Sequence, residues 1–574
     1  MDDLKPDWVQ RSDALAEPVI ALSIAHAPEG ASQMGLSQAD GATLDLSDGW
    51  RDRIAAASRR AYDILDAAGA AEPDERVRED ITILRRRVDE IVDRVAVEDA
   101  HIVPLVDVAR TVFQGVRVLL DEQNPPERKV RALGRLRRYA GLESGITPLA
   151  VAAEAETRQR LAVAGLAPPY DVAVRTALAL GSVLLAGISD LFARSGLEGW
   201  QPAFAAFESQ HGAYATFLER EVLPRARPDH RLPPPVYAHA LRRIGIDIPP
   251  AELAAQAHTA FDELVEAMQE LAPRVGAELG IASHGYRDCI AALKRAQIHG
   301  DADAIVRFYR ERLAEIEAIV RREGLVTLPE RPARIRIASL AESAESPVAH
   351  MNPAPLVGNT GQVGEFVLPL DVPPAAGGSA TERSDDFTHD AVTWTLTAHE
   401  ARPGHEVQFD RMLEGGLSLA RAVFAFNSVN VEGWALYAER LILPFMPPAA
   451  QLCSLMMRLH RAARAFLDPE LQSGERTPAQ AQAFLERELV FSPTFARSEV
   501  ERYTFRSPGQ ATAYFYGYTK LLALREETEA LLGDAFDPCA FHDFILDQGL
   551  VPPDALRGAV LTRFTTSAAS GVRD

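Results

Sequence analysis

Apolar residues recur along most of this chain at helical spacing. In Asp80 to Val92, Ile81, Leu84, Val88, Ile91 and Val92 fall three and four apart with charges between them, as one buried stripe requires. The same pattern predicts helices over 128–139, 154–164 and 172–194 and, beyond the Pro-rich Leu232 to Val236, over 250–271 and 301–323. Further helices are expected over 451–466, 478–490, 512–532 and 541–546, with Thr477 as N-cap and Pro478 in the first turn of its helix.

The period changes near Ala333. Arg334 to Ala338 alternates as a strand should, and Glu365 to Leu370 is a second strand candidate, with Pro/Gly-rich loops between and after them. Such a pair is either a structural hairpin or an exposed edge that holds an extended peptide by backbone hydrogen bonds. The loop from Pro373 to Asp386 reads as a lid. Residues 1–45 mix Pro, Gly, Ser and Ala and read as partly irregular; an N-terminal helical lobe is expected over 46–232 and a second, catalytic lobe over 233–574.

Composition narrows the classes. A hydrophobic content of 47% is that of a globular protein, and the net charge of −21 argues against nucleic acid or an anionic membrane as main partner. The N-terminus MDDLKPDWVQ has no basic and apolar signal regions, and the longest apolar run, Thr176 to Ser189, is too short to span a bilayer and reads as a buried helix. Cys289, Cys453 and Cys539 are scattered, fit a reducing cytoplasm and read as packing residues. Arg85 to Arg87, and Arg135 with Arg137 and Arg138, read as solvated helix faces. His211, His230, His239, His258, His284 and His299 are spread too widely to form a motif and read as core or surface histidines.

Three stretches carry chemistry. Thr397 to Asp410, TAHEARPGHEVQFD, places His399, Glu400, His405 and Glu406 around Ala-Arg-Pro-Gly. In an undistorted helix the two imidazoles would lie roughly 120° apart; a break at Pro403-Gly404 would bring them together. The alternative is a helix end with surface His and Glu. Asn430 to Leu441, NVEGWALYAERL, puts Glu432 and Glu439 two turns apart on nearly one helix face. His399, His405 and Glu432 would supply three ligands to a zinc ion with an open position, and Glu439 would orient a ligand histidine. Ser498 to Gly517 adds Arg502, Tyr503, Gln510 and Tyr514 around a Pro-Gly turn, groups suited to an oxyanion or a substrate carboxylate.

Together, HEARPGHEVQ, EGWALYAERL and ERYTFRSPGQATAYFYG resemble the bacterial family called domain of unknown function 885, from about Arg334 to about Arg525; the N-terminal half is similar only in being helical. The family resembles gluzincin-type zinc metallopeptidases. The resemblance implies a mainly α, large multi-helix, two-lobed metallopeptidase-like architecture with a small β-sheet next to the active-site cleft. It also implies His399, His405 and Glu432 as zinc ligands and Glu400 as general base. Two positions depart from the family pattern: Glu406 stands where P-G-H-H is usual, and Gln472 where a histidine follows Asp468 by four residues. The expected activity is zinc-dependent hydrolysis of a peptide or related amide, with Tyr503, Tyr514 or Arg502 stabilising the oxyanion or anchoring substrate. A metal-dependent reaction on a dedicated small molecule and a non-catalytic binding protein on a peptidase scaffold are the alternatives.

Overall fold

Two long helices form the most extensive packing surface of the molecule. Pro250–Leu279 runs along Pro448–Ser473, and the apolar stripes of the two, with Tyr286–Arg295 and Pro478–Glu488, enclose one core. The computed structural model describes residues 5–282, 285–298, 301–373, 381–383 and 386–570. His284, His299 and much of the lid segment expected between Pro373 and Asp386 lie outside these residues. The fold is mainly helical, and the helical periods of the sequence reappear as buried stripes. Val77, Ile81, Leu84, Val88 and Ile91 line the inner face of Glu75–His101, where Asp74 caps the N-terminus.

Within the segment expected to be partly irregular, Asp7–His26 and Pro28–Gln33 are helical, and turns and irregular backbone follow over 40–45. Val9, Ala16, Val19, Ile20 and Leu22 are spaced for one face, which packs on Trp50–Gly69 and Glu75–His101. This first helical group shares its core with Phe409, Met412, Phe424 and Val431 of the motif region. A separate core joins Val108–Leu120, Asp171–Ser195 and Gln201–Phe217. Arg135 is not on a solvated face. It is fully buried, and its guanidinium donates to the carbonyls of Ala39, Ala42 and Gly115.

Asp171–Ser195 extends beyond the apolar run and is long and apolar enough, by length and composition, to cross a membrane. It is not a wholly buried helix, since only 28% of its most apolar window is covered. Val174, Leu180, Leu184, Ile188 and Phe192 pack inward, spaced for one face only. Among the described residues no disulfide forms; Cys289 and Cys453 are buried and Cys539 is half-buried.

The sheet is small and mixed. Strand β1 (Arg334–Ile337) pairs in parallel with β3 (Glu365–Leu368), while β2 (His350–Asn352) lies antiparallel on the other side of β3. The two sequence strands therefore do not form a hairpin; the 27 residues between them (338–364) make a crossover that returns an additional strand. A second ladder joins β4 (Asp371–Val372) to β5 (Glu382–Arg383). β3 is buried at every position, and β2 is left as an edge among the described residues.

Candidate metal centre

The motif does not continue as one helix. Asp390–Glu400 ends directly after His399 and Glu400, Ala401 to Gly404 form a turn, and His405–Glu414 begins with the second histidine. Pro403 has no N–H to continue the helical ladder. Gly404 is required by close approach: a Cβ there would sit 1.9 Å from the His399 carbonyl oxygen. The turn folds back on the preceding helix end, and the two imidazole centroids come to 4.8 Å. Trp434 holds this turn from the next helix, its indole N–H donating to the carbonyl of Pro403 at 3.0 Å.

That helix, Ser428–Ile442, supplies the third group. Glu432 Oε2 lies 3.4 Å from His405 Nε2 and 3.8 Å from His399 Nε2, and one ligand atom from each of the three residues falls within 4.8 Å of the others. Glu432 reaches this position because its helix crosses Ala513–Leu532 at two glycines. A Cβ on Gly517 would meet the Val429 carbonyl oxygen at 1.9 Å and the Gly433 Cα at 2.8 Å. The sequence did not mark this crossing, although both glycines stand inside helical patterns.

Surrounding groups orient the three residues. Glu439, one of the most buried carboxylates, accepts from His399 Nδ1 at 2.7 Å and from the Thr395 hydroxyl at 2.6 Å, with Arg461 at 3.6 Å. Its seven-residue spacing from Glu432 thus places one carboxylate at Nε2 and the other at Nδ1 of the same ring. Burial disfavours charge on His399, but the facing Glu432 carboxylate and the hydrogen bond to Glu439 outweigh it and push the imidazolium up to about 9. Burial likewise opposes charge on Glu432, and the two imidazoles facing it still hold it well below the usual carboxylate range. Gln510 donates to Glu432 Oε1 at 3.1 Å and accepts from Arg502 Nε at 3.0 Å; Arg502 Nη2 also donates to the Tyr514 hydroxyl at 3.0 Å. The Tyr514 ring stacks on His399 at 13°. Because its oxygen accepts from Arg502, its own hydrogen is available to a substrate.

Glu400 is buried beside this group on the side of the sheet. Its charge helps raise His399 and opposes the lowering of His350 that burial causes. His350, on edge strand β2, was not among the expected site residues. Its Nδ1–H donates to the Val348 carbonyl at 2.9 Å, and the only sequence signal was a histidine within the Pro/Gly-rich loop.

Two expected groups are placed elsewhere. Tyr503 is fully buried, and its hydroxyl donates to Glu499 at 2.7 Å. Glu499 also receives His460 at 2.9 Å and both arms of Arg464 at 2.6 and 2.7 Å, so Tyr503 completes an internal ion network. Gln472 bridges the Leu232 N–H and the Tyr503 carbonyl, at 2.9 and 2.8 Å, and ties the loop before Pro234–Ile244 to Pro448–Ser473. Its role here is structural. Glu406 also turns from the ligands: Arg402 grips both of its oxygens at 2.6 and 2.7 Å. The departure from P-G-H-H therefore leaves the three-residue set unchanged.

The donor set suits zinc. Two imidazoles and a carboxylate are borderline ligands for that ion, and the buried Glu432 Oε2 has no hydrogen-bond donor although two imidazole nitrogens face it. The His405 Nδ1 atom is also buried without a partner.

The family profile described as "Bacterial protein of unknown function (DUF885)" matches residues 28–560, well beyond the stretch where the motifs alone carried the likeness. Among solved structures, one described as a "putative lipoprotein" from Colwellia psychrerythraea superposes with a TM-score of 0.76 at 18% identity, covering 96% of this chain and 99% of that one. A second, a "putative lipoprotein of unknown function" from Shewanella oneidensis, gives 0.71 at 21% identity, covering 97% and 100%. These likenesses establish the fold. The search of curated proteins found no match.

Proposed function

The chain belongs to the bacterial family DUF885, and we propose that it is a zinc-dependent hydrolase of peptide or related amide bonds, similar to gluzincin-type enzymes in its chemistry and two-lobed plan. The observation that carries the reading is the buried, donor-less Glu432 oxygen facing the Nε2 atoms of His399 and His405. Bound zinc would supply Lewis acidity and make a water nucleophilic near neutral pH. Glu400 then takes the proton of the attacking water and passes it to the leaving nitrogen. Tyr514, its oxygen already engaged by Arg502, donates to the developing oxyanion. Glu439 keeps His399 in the Nδ1–H tautomer, so that Nε2 is the ligating atom. Edge strand β2, with His350 near Glu400, offers the backbone groups that would align an extended substrate.

A second reading, hydrolysis or rearrangement of one dedicated small molecule, is favoured by the depth of the centre: His399 is 2% exposed and His405 and Glu400 are each 7% exposed. A panel of unrelated dipeptides and tripeptides separates the two. Elemental analysis of wild type, His399→Ala and Glu432→Ala tests what both require. One zinc per wild-type chain, lost in both variants, supports the centre; no zinc in wild type after incubation with the ion overturns it and favours a non-catalytic scaffold. Glu400→Gln should retain zinc and lose turnover by at least about a hundredfold, and full activity in that variant would remove Glu400 as the base.

A further inference from the structure

Edge strand β2 carries a ring whose acceptor atom is left over. His350 opens the strand, and its Nδ1 lies 2.9 Å from the Val348 carbonyl oxygen. A carbonyl can only accept, so Nδ1 carries the hydrogen and the neutral ring keeps its lone pair at Nε2. Burial lowers His350, against the Val348 hydrogen bond and the charge of Glu400, and keeps the ring neutral at about pH 7. Nothing among the described residues bonds to Nε2, and this atom keeps accessible surface, unlike the enclosed and unpartnered His405 Nδ1 and His239 Nε2. The residue as a whole is half-buried.

The sheet holds this ring against the histidine motif. Met351 pairs with Phe366 of β3, and the Phe366 ring meets that of Tyr309 edge-on at 5.4 Å. Burial raises the Tyr309 phenol and the charge of Glu400 adds to it, so one carboxylate acts on both Tyr309 and His350. Just before β3, a Cβ on Gly364 would meet Met351 Cε at 2.2 Å and Glu406 Cγ at 3.8 Å, which sets the two strands against the residue that follows His405. Glu345, the other carboxylate acting on His350, accepts from Gln114 Nε2 at 2.6 Å and faces Arg117 Nε at 3.5 Å. The imidazole is left as an uncommitted neutral acceptor beside Glu400.

A scissile amide offers two polar groups. Its oxygen is the atom that Tyr514 serves, which leaves the N–H, and a neutral acceptor is satisfied by such a donor. We propose that His350 Nε2 accepts a hydrogen bond from the scissile N–H of the substrate, which makes the site selective for secondary amides over esters and over bonds to a proline nitrogen, which have no N–H. The assignment rests on the hydrolase reading. With the N–H held by His350, the lone pair that localises on nitrogen as water adds to the carbonyl points away from the ring. That lone pair takes the proton that Glu400 removed from the water, and the C–N bonding pair leaves with the amine.

Tetra-alanine and the depsipeptides in which an oxygen replaces one peptide N–H test this, since the exchange deletes the donor and adds no bulk. kcat/KM at the cleaved bond is compared for amide and ester in wild type, His350→Ala and His350→Phe, the last filling the space of the ring without an acceptor. Both variants should lower kcat/KM on the amide by at least about fivefold and leave the ester within about twofold, with zinc content unchanged. An equal fall on amide and ester shows a structural role, an unchanged amide rate shows none, and loss of zinc assigns the ring to the metal; each overturns the proposal. Calorimetry on chelator-treated protein reads the same contact without turnover. One depsipeptide should bind wild type at least about threefold more weakly than tetra-alanine, and the difference should vanish in His350→Ala. Equal binding of tetra-alanine and every depsipeptide, or no binding at all, overturns the contact. Absence of zinc and turnover in wild type would sink the hydrolase reading, while a calorimetric difference that depends on His350 would keep the ring as the acceptor of a backbone N–H.

Discussion

Replacing Glu439 by glutamine should weaken zinc binding by about 10- to 100-fold without disturbing the fold. The wild-type carboxylate is 1% exposed and accepts from His399 Nδ1 at 2.7 Å and from Thr395 at 2.6 Å, while Arg461 stands 3.6 Å away. Glutamine has the same shape. Its carbonyl can still accept from Nδ1, and the Thr395 hydroxyl can turn to accept from the new amide. What disappears is the charge that makes the imidazole a stronger donor to the ion and partly neutralises Arg461. The expected loss corresponds to about 1.4 to 2.7 kcal/mol of binding free energy at 25 °C. Glu439→Ala is a harsher change, since it leaves Arg461 and the Nδ1–H without their partner; a loss of about 3 to 5 kcal/mol of folding stability is expected from breaking a buried charged contact. The assay is competition with a chromophoric zinc chelator at fixed pH and ionic strength, beside thermal melts of the metal-free proteins. Wild-type affinity in Glu439→Gln, with an unchanged melt, would refute the claim that this carboxylate orients a zinc ligand.

Gly517→Ala should separate the two helices that cross at Gly433, costing about 1 to 3 kcal/mol or more and lowering zinc content, because its Cβ would meet the Val429 carbonyl oxygen at 1.9 Å; a wild-type Tm would show that the crossing tolerates a methyl group. Burial pushes Asp468 up to about 7, against hydrogen bonds from Tyr237 and the Gly509 N–H that favour its charged form. A folded value above the unfolded one means that its stabilising contribution is full below about pH 4 and is lost as pH rises through 7, on the order of 4 kcal/mol in all. Asp468→Asn should therefore gain in Tm relative to wild type between pH 5 and pH 8, and a constant difference over that range would contradict the assignment. Tyr503→Phe should cost about 1 to 3 kcal/mol by removing a donor from Glu499 while leaving turnover unchanged; a large fall in kcat with an unaltered Tm would return Tyr503 to the substrate site.

The sequence by itself determined the helical class and singled out His399, His405 and Glu432, which the fold brings together. Helical periods survive in the fold because each stripe, such as Val77 to Ile91, must be covered by another element whatever the topology. The histidine–glutamate set was legible because proline and glycine between His399 and His405 favour a break in the helix, and because a spacing of seven residues keeps Glu432 and Glu439 on one face. The partly irregular reading of residues 1–45 left out two helices, because proline, glycine and serine were weighed above the apolar spacing of Val9 to Leu22.

Only the tertiary structure decided which polar groups face the centre. Tyr503 and Tyr514 stand in one motif with similar composition, yet the Tyr503 hydroxyl pairs with Glu499 one turn back on its own segment, while packing against a distant helix stacks Tyr514 on His399. The crossover after β1 brings His350 toward Glu400 from a loop without a periodic signal. The sequence lists donors and acceptors but not their pairing: local spacing settles which side chains share a helix face, whereas a buried polar group takes the partner that long-range packing brings within about 3 Å.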